Sequence, residues 1–406
     1  MSPDPRVLLM AETYHPVLGG GEKHTRSLAL GLVHSGFRVD VVTRRSSDDL
    51  KAIEDDGGVT IHRVGAPGQG RGKKFGMVPA AYQWARRLAR ESDVLMNGGT
   101  RVLALPARLA VAGTRCALVL RPELNGELDG SLALWGRKAS RFEHRAAFGL
   151  ARARNAMLSR TDAVVAISRA IAEEAVTAGF DAPKVHLIPH GIDMTEYAPA
   201  ASLEAKASLR RSLGLPVDRT LVTYTGRLIQ GKGLETLLAA ARSLADIPSV
   251  HFVLVGSGSG QVISIEDALR AAAAADTALA GRVTFTGRVE NVAAYLQASD
   301  VFAFPTLDEA LGMSAVEAQA CGLPAVASRT GGVPDIIEDG LTGVLVTPGD
   351  AGELASGLRR LLTDDALRIR FAQAARVRTV ERFAYGTMVT RYAELFRGVI
   401  ARRQAS

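Results

Sequence analysis

The run Leu221-Val222-Thr223-Tyr224-Thr225-Gly226-Arg227-Leu228-Ile229-Gln230-Gly231-Lys232-Gly233 decides the fold. Its first five residues are β-branched, apolar or aromatic without a polar alternation, the pattern of a strand covered on both faces. Three glycines and two cations follow, and amphipathic helical patterns lie between most such strand-like runs. A strand that runs through a glycine-rich loop into a helix is the unit of an α/β protein with a parallel sheet. Glycines there let a backbone approach a phosphate closely. Arg227 supplies a planar fork and Lys232 a mobile point charge, so the loop reads as a clamp for a diphosphate.

Working outward, the same unit recurs. Strand-like runs lie at 251–255, 283–285, 301–304, 325–327 and 344–347 on the C-terminal side. On the N-terminal side they lie at 6–10, 39–43, 60–64, 93–96, 117–120, 163–167 and 184–188, with helical patterns such as 22–35 and 168–178 between. About thirteen such runs are too many for one eight-stranded barrel. A polar stretch after Pro199 separates the two series, and 406 residues exceed one comfortable core. The expectation is two doubly wound, Rossmann-like domains facing each other across a cleft, 1–198 and 199–385.

Ligands of such sheets bind beyond the carboxyl ends of strands, and the remaining motifs fall there. Gly19-Gly20-Gly21-Glu22-Lys23-His24 follows the first strand and opens a helix, a setting that favours an anion. Its spacing matches neither the dinucleotide fingerprint nor the P-loop. The run Pro305-Thr306-Leu307-Asp308-Glu309-Ala310-Leu311-Gly312-Met313-Ser314-Ala315-Val316-Glu317 follows the strand 301–304. On one continuous helix Glu309 and Glu317 would stand about 12 Å apart, too far for a glycosidase pair. The reading adopted has Glu309 in a loop, a tight turn at Gly312, and Glu317 on a helix running to Ala320.

Glu309 and Glu317 then form the E-x7-E pattern of the retaining glycosyltransferases of family four, which share the GT-B fold. The segment from Glu317 to Ser328, the run Gly331-Gly332-Val333-Pro334-Asp335 and the run Gly340-Leu341-Thr342-Gly343-Val344-Leu345-Val346 also resemble that family. The resemblance extends over essentially the whole chain. It implies that Arg227 and Lys232 bind the donor diphosphate beside Gly226 and stabilise the departing nucleotide. Glu309 would face the donor sugar, and Glu317 would hold the ribose hydroxyls. Backbone amides of Gly312, Met313 and Ser314 would meet phosphate or sugar, and Gly19 and Gly20 would close the donor site from the other domain. Arg288 and Val289 would lie near the base, and a terminal helix, 386–406, would pack back on the first domain, with hinging between the domains.

The implied reaction is transfer of a hexosyl group from a nucleotide-diphosphate sugar to a glycan, lipid-linked or small-molecule acceptor, with retention. Family frequency favours a UDP-sugar over GDP-mannose. Leaving-group charge would be met by Arg227, Lys232 and helix amides, so no metal or other cofactor is expected; the sequence holds no D-x-D triplet. The sequence departs from the family in three places. The strand 117–120 continues into Arg121-Pro122-Glu123-Leu124-Asn125-Gly126, where the family often has an acceptor-side histidine. His190 stands where asparagine is usual, and Ala310-Leu311 replaces Gly-Phe. Competing readings are a sugar-nucleotide epimerase or hydrolase of the same architecture, and a sugar-nucleotide-binding protein without turnover.

Composition bounds the partners. The net charge is +7, which suits phosphorylated substrates or an anionic membrane; nucleic acid explains the charge but none of the motifs. Two distant cysteines exclude a disulfide framework and give no zinc spacing. The leading residues carry no signal-peptide pattern, and the apolar region 102–120 is broken by Pro106, Arg108 and Arg115. A cytoplasmic protein is expected. Between Trp135 and Arg160 seven cations face the single acid Glu143, with Phe142 and Phe148 interleaved; this suits contact with the inner face of an anionic membrane or a solvated basic helix equally.

Overall fold

The computed structural model describes residues 4–17, 20–68, 70–134 and 140–405. Two compact units result: Met1–Gly191 with Gly386–Ser406, and Ile192–Tyr385.

The first unit holds an eight-stranded sheet. Its strands are β1 (Arg6–Met10), β2 (Arg38–Arg44), β3 (Ile53–Asp56), β4 (Val59–Val64), β5 (Val94–Gly98), β6 (Ala117–Arg121), β7 (Ala163–Ala166) and β8 (Val185–Leu187). Their order is β3-β4-β2-β1-β5-β6-β7-β8. All neighbours are parallel except β3, which returns antiparallel on β4. Sequence reasoning missed β3: Ile53-Glu54-Asp55-Asp56 has little strand propensity, and only pairing with the buried β4 makes it one. Side chains such as Leu8, Leu95 and Leu118 pack between sheet and helices, because strands like β5 and β6 are buried throughout.

The second unit holds six parallel strands: β9 (Thr220–Thr225), β10 (Val250–Val255), β11 (Val283–Gly287), β12 (Val301–Phe304), β13 (Ala325–Ser328) and β14 (Gly343–Val346). The order is β11-β10-β9-β12-β13-β14, so both sheets are Rossmann-like. The helices start where local chemistry dictates. Asp350 accepts from the Glu353 amide at 2.8 Å to open the helix Ala351–Thr363, and Asp364 does the same for Leu367 at the head of Asp365–Phe383.

The boundary between units falls at Gly191/Ile192, seven residues before the expected 198/199. The Ile192 amide donates to Phe383 O at 2.9 Å and Tyr385 N donates back to Ile192 O. Arg376 then binds the carbonyls of Tyr197 and Met194 at 2.7 and 3.1 Å. These contacts commit residues 192–197 to the second unit, although the sequence reading places them in the first. The last helix, Tyr385–Gln404, is grouped with the first unit from Gly386 onward.

Candidate active site

In the second unit β9 and β12 are adjacent in the sheet but far apart in sequence. The chain therefore leaves their carboxyl ends in opposite directions, and such a switch point opens a crevice. The loops 226–233 and 305–312 meet there. Leu307 N donates to Gly231 O at 2.9 Å, and Lys232 Nζ lies 2.7 Å from Glu309 Oε2. Both charged side chains keep about a fifth of their surface exposed, at 19% and 21%.

Glycine makes this approach feasible. Gly233 has φ +66°, and a Cβ on it would sit 1.8 Å from Pro305 O. Gly226 has φ +150°, and a Cβ there would stand 2.6 Å from the Tyr224 hydroxyl. That buried hydroxyl donates to Arg227 O at 3.1 Å, fixing the loop while the Arg227 side chain stays exposed.

Glu309 is held from behind: its carbonyl accepts from Gly332 N at 3.0 Å. It sits in the loop, whereas Glu317 is on the helix Met313–Ala320, entered through Gly312 in the left-handed region. The first helical hydrogen bonds run from Ala315 and Val316 to Gly312 O. The amides of Gly312, Met313 and Ser314 precede them and project from a helix N-terminus. Glu317 is half-buried and bonded by the Tyr197 hydroxyl; burial and this carboxylate push the Tyr197 phenol above its ordinary range. Further along the rim, Arg288 follows β11 and is exposed. Val289 is partly buried, packed against the cluster that holds Leu215, Leu221 and Val255. Gly19 lies outside the described residues. Gly20 begins the helix Gly20–His34 of the first unit, with open space where a side chain would be.

The first unit has its own switch point between β1 and β5, and here the sequence reading missed a residue. Arg121 ends β6 fully buried. Its Nη2 donates to Thr25 Oγ1 at 2.9 Å and Glu123 Oε1 at 2.6 Å. Burial opposes the Arg121 charge, but Glu123 and Tyr392 together outweigh it and hold the pKa above its ordinary value. Glu123 in turn lies over two glycines: a Cβ on Gly21 or Gly98 would stand 2.9 Å from one of its oxygens. The signal was the Arg-Pro-Glu at the strand's carboxyl end, readable beforehand only as a missing histidine. Nearby, Glu127 accepts from Thr100 N at 2.7 Å and Thr100 Oγ1 at 3.0 Å; burial pushes its carboxyl up to about 7 against those bonds. His190 is buried and stacks on His24 with ring centroids 3.5 Å apart. Burial holds both imidazoles well below the ordinary range, aided by Arg121. Among the described residues no three His, Cys, Asp or Glu side chains group as metal ligands.

Against known proteins, residues 19–191 match the glycosyl transferase 4-like domain, and residues 205–378 match the glycosyl transferases group 1. The chain belongs to the family-four type of glycosyltransferase. It is 34% identical over 254 residues to a D-inositol 3-phosphate glycosyltransferase of Xylanimonas cellulosilytica, covering 61% of this chain and 60% of that one. The Mycobacterium tuberculosis enzyme of the same name is 34% identical over 186 residues, 45% of this chain and 37% of the relative. The match thus spans less than two thirds of either relative. Sucrose-phosphate synthase from Thermosynechococcus elongatus superposes with TM-score 0.80 at 25% identity, covering 98% of this chain and 100% of that one. Anabaena HepE in complex with UDP and glucose gives 0.73 at 22% identity, covering 96% and 98%. Such family-four-type glycosyltransferases share the GT-B fold of two Rossmann-like domains, and so does this chain.

Proposed function

We propose that the chain transfers a hexosyl group from a nucleotide-diphosphate sugar, a UDP-sugar first, to a hydroxyl of a glycan, lipid-linked or small-molecule acceptor, with retention. The observation that carries this reading is the Lys232–Glu309 pair at the β9/β12 switch point, beside a glycine-lined rim and an open helix N-terminus. The bond between the sugar's anomeric carbon and the phosphate oxygen breaks while the acceptor oxygen bonds the same face of that carbon. The acceptor proton passes to the leaving phosphate. Lys232, Arg227 and the amides of Gly312, Met313 and Ser314 stabilise the charge that develops on the diphosphate. Glu309 orients the sugar, and Glu317, braced by Tyr197, takes the ribose hydroxyls.

Acceptor binding is assigned to the carboxyl rim of the first unit, where Glu123 receives the acceptor's hydroxyl in place of a histidine. The UDP bound to HepE supports the choice of base, and the curated relatives make D-inositol 3-phosphate one acceptor to try. A cytoplasmic site of action fits Cys116 and Cys321, both buried and unpaired, their thiols pushed up to about 12 by burial. Calorimetric titration with UDP, GDP, ADP and dTDP tests the donor site. One nucleotide binds, and Glu317→Ala abolishes its binding; wild-type protein that binds none at millimolar concentration refutes the reading.

A further inference from the structure

The helix Arg141–Leu158 is amphipathic in an unusual sense, because its apolar stripe faces away from the core. Residues 142, 146, 150, 153 and 157 share one helical face by their spacing. On that face Phe142 is 79% exposed, Leu150 73% and Met157 55%. The opposite face does the packing: Ala151, Asn155 and Leu158 are buried, and Asn155 Nδ2 and Arg154 Nη2 bind the backbone carbonyls of Leu128 and Glu127 at 2.7 Å. Arg141, Arg145 and Arg152 flank the apolar stripe on one side, all exposed. The only acid, Glu143, is spent in a capping box with Ser140. The stripe continues into a groove of about 390 Å³ whose walls include Leu105 and Leu109 with Ala156 and Met157, and whose cations are Arg108 and Arg160. Arg108 Nε is buried there without a hydrogen-bond partner among the described residues.

We propose that this face lies on an anionic lipid bilayer, its apolar stripe among the acyl chains and its arginines at the phosphates. A helix of 18 residues, about 27 Å long, with an apolar face beside a cationic flank, is the pattern of an interfacial helix. Charge selects the occupant. A second copy meeting this face would bring a second set of exposed arginines to an interface whose one acid, Glu143, is already held in a capping box, whereas lipid phosphate complements the flanking arginines. No helix among the described residues is long and apolar enough to cross a membrane. Surface attachment is therefore the mode this face serves.

The test is co-sedimentation of the full chain with phosphatidylcholine vesicles, with and without a quarter of phosphatidylglycerol, at low and high salt. Wild type sediments with the anionic vesicles and is released by salt. Partitioning falls at least about tenfold in Phe142→Ser/Leu150→Ser and in Arg145→Glu/Arg152→Glu. Both variants alter exposed positions, so their melting temperature and nucleotide binding stay at wild-type values. Three results overturn the proposal: wild type left in the supernatant with anionic vesicles, equal binding to neutral vesicles, or both variants binding like wild type. A dimer that either variant dissolves, seen by sedimentation velocity without lipid, overturns it in favour of a second copy.

Discussion

Replacing Lys232 by alanine should weaken nucleotide-diphosphate binding by more than the loss of one cation, because it also exposes Glu309. The ammonium and carboxylate are 2.7 Å apart, and each is about four-fifths shielded from solvent. At an effective dielectric of about 20, two charges 4 Å apart interact by about 4 kcal/mol before desolvation is subtracted. A diphosphate at similar range gains a comparable gross term from Lys232, part of it shared with Glu309. In Lys232→Ala that attraction is gone, and the Glu309 carboxylate, no longer offset by the ammonium, repels the phosphate by about 3 kcal/mol at about 6 Å. Solvent screening and relaxation reduce both, leaving a net loss of about 2–4 kcal/mol, or roughly 30- to 1000-fold in Kd. The sign of the partner variant is the sharper part. Glu309→Gln frees Lys232 and tightens nucleotide binding, while turnover falls because the sugar loses its carboxylate. In Lys232→Ala/Glu309→Gln the repulsion vanishes and binding recovers roughly tenfold over Lys232→Ala. Calorimetry on the four proteins completes the cycle, with circular dichroism confirming that the overall fold is kept. Lys232→Ala with a Kd within threefold of wild type would falsify the clamp, and Glu309→Gln that weakens binding would contradict the electrostatic account.

Gly233→Ala and Gly260→Ala separate backbone strain from collision. Both glycines have positive φ, +66° and +74°, but a Cβ on Gly260 meets nothing within 4 Å whereas one on Gly233 lies 1.8 Å from Pro305 O. Gly260→Ala should cost about 1 kcal/mol and shift melting by about 2–4 °C. Gly233→Ala should cost several times that and abolish nucleotide binding; equal shifts in a thermal melt would mean the loops do not touch. Glu127 makes the first unit less stable as pH rises. Its carboxyl moves from an ordinary 4.5 to about 7 on folding, so between those values the unfolded chain gives up a proton that the folded one keeps. Stability therefore falls through that window, by up to about 3 kcal/mol, and levels off above it. Glu127→Gln should melt higher than wild type at pH 8 and close to it at pH 4.5; the opposite trend refutes the assignment. Glu123→Gln should lower kcat at least about tenfold with little change in donor Kd, as expected of an acceptor-side group. A changed donor Kd with unchanged kcat would move Glu123 out of that role.

The strand runs were legible because parallel strands covered on both faces need unbroken apolar sequence, and the loops carrying Arg227, Lys232 and Glu309 were legible because ligands collect where such strands end. The left-handed turn at Gly312, with Glu309 before it and Glu317 after it, also followed from local chemistry alone. What only tertiary structure decided were the features made by partners distant in the chain. β3 is a strand because β4 pairs with it. The unit boundary is at Ile192 because residues 383–385 bind it. Lys232 meets Glu309, 77 residues away, because sheet order puts β9 beside β12. Glu123 gains its place over Gly21 and Gly98 only when β1, β5 and β6 lie side by side. The outward-facing stripe of the helix Arg141–Leu158 shows the limit most clearly. Periodicity shows that an apolar face exists, but packing decides which way it points.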